Sequence, residues 1–168
     1  MTPAELLVDA FGRVPPTVRA AVTGLDVERL AWRPAPTANS LAWLVWHLAR
    51  IQDAQVAELA GTPQVWTAQG WHTRLALPFE PREHGYGHTA EQVGLVRAPA
   101  DLLIGYLEDT HAATVGYLRG VSPADLDRVV DQRWDPPVSV GVRLVSVVDD
   151  CAQHAGQAAY LRGLLDAG

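Results

Sequence analysis

The chain has a single cysteine, Cys151, among 168 residues. No intrachain disulfide can form, and the count suits a reducing cytoplasm. Basic residues are outnumbered: 13 Lys and Arg against 19 Asp and Glu leave a net charge of −6. Such a chain has no basic stripe to grip phosphates, so nucleic acid is excluded as an expected partner. Every apolar run is interrupted by Arg, His or Asp well before about 18 residues, so no membrane span is expected. The opening "MTPAELLVDAFGR" has acidic residues and no leading basic region, unlike a secretory signal. Internal repeats, low-complexity tracts and glycine-rich phosphate loops are absent. What remains is a soluble cytoplasmic protein with one domain, residues 1–168, long enough to bury a core without a disulfide or metal staple.

Helical periodicity is what the sequence does contain. Thr2-Pro3-Ala4-Glu5 opens a first helix with a cap, a first-turn proline and an early carboxylate. Pro15-Pro16 predicts a kink or short break in it, and Gly24 ends it. "LDVERLAWRPAPTANS" reads as a connecting loop that delivers Ser40 as the next cap. A second helix is expected from Ser40 to Ala60, stopped by Gly61-Thr62-Pro63. Residues 61–88 have weak periodicity and many aromatics, which predicts a long, ordered, functional loop. A short helical start at Thr89 precedes a third helix from Pro99 to Arg119. "SPADLDRVV" reads as a short turn of helix capped by Ser122, and "DQRWDPPVSV" as a loop with a strand-like edge. The fourth helix runs from Ser139 to Leu165. Four long helices predict an all-α antiparallel four-helix bundle, with 61–88 as a long crossover between the second and third.

Three polar residues stand out on these apolar helices. Asp150 and His154 are four apart, so both project to one helix face, one turn of rise apart. Two such side chains can grip one ion if a third ligand comes from another helix. His47 is the natural candidate, since it shares its face with Leu44 and Ile51. Two imidazoles and a carboxylate leave coordination positions open for water or substrate. Plainer readings stand beside this one. His47 can be a satisfied core histidine, and Asp150–His154 an ordinary pair on a helix rim. His111 shares a helix face with Ile104 and Leu107 and reads first as a buried, hydrogen-bonded histidine. Cys151 reads as a small apolar residue with nothing nearby to activate it. His72, His84 and His88 read as solvated loop residues. Trp66, Trp71, Phe79 and Tyr86 either wall a pocket or pin the loop; at least one of Trp71 and Phe79 is expected over the mouth of the site, as a substrate-binding residue. Arg33 either holds an anionic substrate or ties down a loop, and Trp32 and Trp134 fall near helix ends.

"NSLAWLVWHLARIQD", "QHAGQAAYLRG" and "LAWRPAPTANS" together resemble the DinB-like superfamily of metal-binding bundles. That group includes the bacillithiol and mycothiol S-transferases and the mycothiol-dependent maleylpyruvate isomerases. The resemblance covers essentially the whole chain. It implies a DinB-type bundle with one ligating histidine in the second helix and a His-x-x-x-His pair in the fourth. His47 matches the first and His154 the last; Asp150 stands where the family has histidine. The implied metal set is therefore His47, Asp150 and His154. Gln157, one turn on, reads either as a substrate-binding residue that hydrogen-bonds a ligand or a metal-bound water, or as a surface amide. The implied cofactor is a divalent ion, zinc first, with nickel or iron as alternatives, and the implied cosubstrate is a low-molecular-weight thiol. The expectation is a metal-dependent enzyme acting on small molecules, a thiol S-transferase or isomerase, working as monomer or homodimer. A metal-dependent hydrolase and a non-catalytic binding or sequestering bundle are the alternatives.

Overall fold

Thr2 and Glu5 form a reciprocal capping box at the first helix, α1 (Pro3–Gly12). The chain breaks at Arg13 and resumes as α2 (Val14–Val22), whose first turn takes Pro15 and Pro16 where no backbone donor is required. The computed structural model describes residues 1–167. It is all-α apart from one two-stranded ribbon.

The segment expected to be a plain connecting loop holds a short helix, α3 (Val27–Ala31), capped by the Asp26 carboxylate on Arg29 N. The cap at Asp26 was the overlooked start signal. Ser40 caps α4 (Leu41–Ala60) through Trp43 N, and Gly61 closes it with a φ of 66°, a left-handed conformation that glycine tolerates. Buried residues occur on all sides of α4, which makes it the central helix. It packs against α8 (Ala100–Leu118) and α10 (Val140–Ala167), and α10 also covers α2. The inner face of α10 is Leu144, Val147, Cys151, Ala155, Ala158 and Leu161, at helical spacing.

Residues 61–88 are more regular than their pattern indicated. They contain α5 (Val65–Ala68) and α6 (Trp71–Leu75). At four and five residues, neither has an amphipathic period long enough to read from sequence, and α5 is started by tertiary bonds. The Asp53 carboxylate accepts from Val65 N and Trp66 N at 2.8 Å each, so α4 itself caps α5. Thr89 forms a capping box for α7 (Ala90–Gly94), and Ser122 does the same for α9 (Pro123–Leu126). The strand-like edge is an antiparallel ribbon of β1 (Val129–Asp131) and β2 (Val138–Ser139), pairing Val129 with Ser139 and Asp131 with Val138. No helix among the described residues is long and apolar enough to cross a membrane.

Candidate metal centre

His47 lies seven residues into α4, and Asp150 and His154 lie one turn apart on α10. The packing of these two helices brings the three side chains together. One ligand atom from each falls within 4.8 Å of the others. The two imidazoles meet edge to face, with ring centres 4.9 Å apart.

Each imidazole is oriented from behind. His47 Nδ1–H donates to the His84 carbonyl at 2.5 Å, and His154 Nδ1–H donates to Gln157 Oε1 at 2.9 Å. Both rings therefore direct Nε2 toward the common space, the arrangement a metal-ligating histidine requires. His154 Nε2 is 3.5 Å from Asp150 Oδ1. With the Nδ1 proton committed to Gln157, a neutral His154 ring turns a lone pair toward a carboxylate. Two acceptors facing each other need a positive charge between them, either a proton or a metal ion. Asp150 Oδ2 is buried and has no hydrogen-bond partner. An orphaned carboxylate oxygen is costly unless a cation completes it. The donor set and this oxygen both fit a divalent ion.

Trp43 forms the back wall. It stacks on His47 with ring centres 4.5 Å apart and planes 12° apart, and meets His154 edge to face. Gly85 closes the other side. A Cβ there would lie 2.7 Å from His47 Nδ1 and 3.0 Å from Trp46, and the residue has a φ of 93°, so both space and backbone demand glycine.

The two histidines differ in electrostatics. Burial lowers the His47 pKa to about 4 against the opposing pull of the His84 carbonyl, so the ring is neutral and ready to ligate at pH 7. Burial also acts to lower His154, but the bonds from Asp150 and Gln157 outweigh it and raise its pKa. Burial pushes the Cys151 thiol far up; the side chain packs against α4 as a small apolar residue and is no thiolate nucleophile.

Asp150 also lies on the edge of an open cavity of about 910 Å³. Tyr86 and Trp134 stand on its rim, 85% and 66% exposed, and Arg133 and Arg143 share the Asp131 carboxylate beside it. Neither Trp71 nor Phe79 lines this cavity, contrary to the sequence expectation. Trp71 sits against Gly105 and Tyr106 on α8, with Nε1 donating to Asp109, and Phe79 packs between Trp46 and His88. The long segment reaches the site through His84, Gly85 and Tyr86 instead. His88 is also not solvated: its side chain is only 5% exposed, and Nδ1 accepts from Trp43 Nε1. The adjacent glycines Gly85 and Gly87, framing Tyr86, were the sequence signal for a close backbone approach here. His111, on α8, is not part of the cluster. Arg33 donates to the Ala90 carbonyl and so ties α7 to the α3–α4 connection.

Among the described residues, a helical scaffold thus sets a His/Asp/His cluster that could hold a metal ion beside an open cavity, and a family match places the scaffold in the DinB-like class. Residues 6–167 match the mycothiol-S-transferase family, and the chain belongs to that family. A crystal structure of a conserved protein from Enterococcus faecalis is similar throughout: 32% identity, a TM-score of 0.93, and coverage of 100% of this chain and 99% of that one. No curated protein matches the chain.

Proposed function

We propose that the chain is a single-domain DinB-type four-helix bundle that works as a metal-dependent thiol S-transferase on small molecules. The observation that carries this is the arrangement of His47, Asp150 and His154: two imidazoles held by their Nδ1 atoms, and one carboxylate oxygen buried without a partner. These three side chains would hold a divalent ion. When bound, such an ion lowers the pKa of a thiol and holds the thiolate for attack on an electrophile. Family membership supports the thiol. Gln157 keeps His154 in the ligating tautomer, and the His84 carbonyl does the same for His47. The cavity beside Asp150 gives a ligand-sized approach to the ion, within the range of small-molecule sites. Trp43 keeps water off the rear of both rings.

A second reading rests on the 3.5 Å contact between His154 and Asp150. With His154 protonated, the pair is a self-sufficient ion pair, and the protein is a non-catalytic binding bundle. Elemental analysis of protein purified without an affinity tag separates the two. A stoichiometric transition metal, followed by thiol consumption with a panel of electrophiles that is lost on chelation, supports the enzyme. Protein that neither retains nor takes up metal supports the bundle.

A further inference from the structure

Arg50 is the most deeply buried charged residue of α4, with no exposed side-chain surface. A guanidinium so placed needs every donor satisfied. Nε donates to the Glu83 carbonyl at 3.1 Å and Nη2 to the Pro81 carbonyl at 3.2 Å. Nη1 donates to Gln64 Oε1 at 3.0 Å and Tyr106 Oη at 3.2 Å. Asp53 Oδ2, 3.6 Å from Nη1, balances the charge. Three of these partners belong to the 61–88 segment.

The two carbonyls that Arg50 holds lie one and three residues before His84. Arg50 also follows His47 by three residues on the same helix, so the two side chains leave α4 about one turn apart. Arg50 thus grips the strap at Pro81 and Glu83, and His47 meets it at His84. We propose that Arg50 is a positioning residue for the metal centre: by fixing the Pro81 and Glu83 carbonyls it seats the His84 carbonyl on His47 Nδ1, and so decides which ring nitrogen faces Asp150 and His154. If that carbonyl moves away, Nδ1 loses its acceptor. The proton then shifts to Nε2, where it donates toward the orphaned Asp150 oxygen and closes the ring to a cation. A guanidinium suits the task because its rigid fork spans two carbonyls and two further acceptors, which an ammonium cannot do. The second half of this inference rests on the reading of His47 as a ligand; the first half does not.

The test is the His47 tautomer, read by two-bond proton–nitrogen correlation on metal-free protein labelled with ¹⁵N-histidine at pH 8, the signal assigned by its loss in His47→Gln. Zn²⁺ affinity is measured in parallel. Wild type is expected as the Nδ1–H form. Arg50→Met should move it toward Nε2–H and weaken Zn²⁺ binding about 10–100-fold, the usual effect of losing a ligand's supporting partner. Arg50→Lys should fall between the two. Gln64→Leu cuts an Arg50 contact that does not touch the 81–84 strap, and should leave the tautomer unchanged. Gly85→Ala displaces the strap without altering Arg50, and should reproduce the tautomer change; it carries the test with Arg50→Lys if Arg50→Met does not fold. An unchanged tautomer in the folded Arg50 variants overturns the proposal, even if their stability falls. Wild type that fails to bind Zn²⁺ while the tautomer still responds to Arg50 overturns the metal reading and leaves the positioning role standing.

Discussion

The two walls of the candidate metal centre are built in different ways. On α10, Asp150, His154 and Gln157 lie within two turns of one helix, and the local backbone alone brings them together. On α4, His47 has no such local partners. Its ring is clamped by Trp43 on one face, by Gly85 at its edge and by the His84 carbonyl 37 residues away. The α10 wall is half-exposed and carries a histidine with a raised pKa; the α4 wall is buried and carries one with a lowered pKa. A helix thus supplies a preformed pair cheaply, while the third side chain, His47, must be desolvated and oriented by tertiary structure. Neutrality of the buried ring is what that burial gains.

The largest expected effect comes from removing the clamp on the α4 wall. Trp43→Ala deletes a buried indole that touches His47, His154 and His88. It should cost about 3–5 kcal/mol of stability, seen in denaturant unfolding of metal-free protein. A cost under 1 kcal/mol would mean the rings do not depend on that wall.

The walls should also part company in pH. His47 titrates near 6.5 in an unfolded chain but at about 4 in the fold. Above pH 6.5 neither state carries the proton and its contribution is whole. As pH falls toward 4 the unfolded chain takes up a proton the folded chain refuses, so stability is lost, on the order of 3 kcal/mol in all. His154, with its raised pKa, works the other way: its contribution is present below 6.5 and fades as pH rises through its folded value. Unfolding free energies of metal-free wild type, His47→Gln and His154→Gln across pH 4–8 should show the two slopes removed separately. Parallel curves for the two variants would erase the contrast.

On the α10 wall, His154→Ala should lower Zn²⁺ affinity by more than about 100-fold, beyond the loss of a supporting partner, or about 2.7 kcal/mol or more. Metal-free stability should change by about 1 kcal/mol or less, because the core of Leu44, Leu48, Leu107 and Leu144 does not use the ring. Thermal unfolding with and without Zn²⁺ checks both numbers, since only the wild type gains strongly from added metal. The smallest effect is that of Gln157→Leu, about tenfold in Zn²⁺ affinity with little change in metal-free Tm, because the side chain is exposed. Isothermal titration decides it; unchanged affinity would show that helical spacing alone orients His154.

The long elements were legible because their caps and periods are local. Ser40 and Gly61 bracket α4 within a residue of the expected bounds, and the break near Pro15-Pro16 falls at Arg13. The short helices were harder. α5 is started by Asp53 from a neighbouring helix, a bond that no window of the sequence reveals. The aromatics of 61–88 were legible as ordered, yet which of them faced the site was not. Trp71 and Phe79 are drawn to Tyr106 and Trp46, while the less conspicuous Gly85 approaches His47. That choice depends on the path of the strap between α6 and α7, which Arg50 holds.

By itself the sequence determined the long helices, the caps at Thr2 and Ser40 and the Asp150–His154 pair, since each follows from spacing within one segment and from the 3.6-residue period. Its place on an apolar face of the second helix made His47 the candidate partner, and the family resemblance matched it. Only the tertiary structure decided that Nε2 of each ring faces the shared space, that Asp150 Oδ2 is left without a partner, and that His47 is held neutral. Those properties depend on burial and on bonds between residues distant in the chain, and helical periodicity carries no information about either.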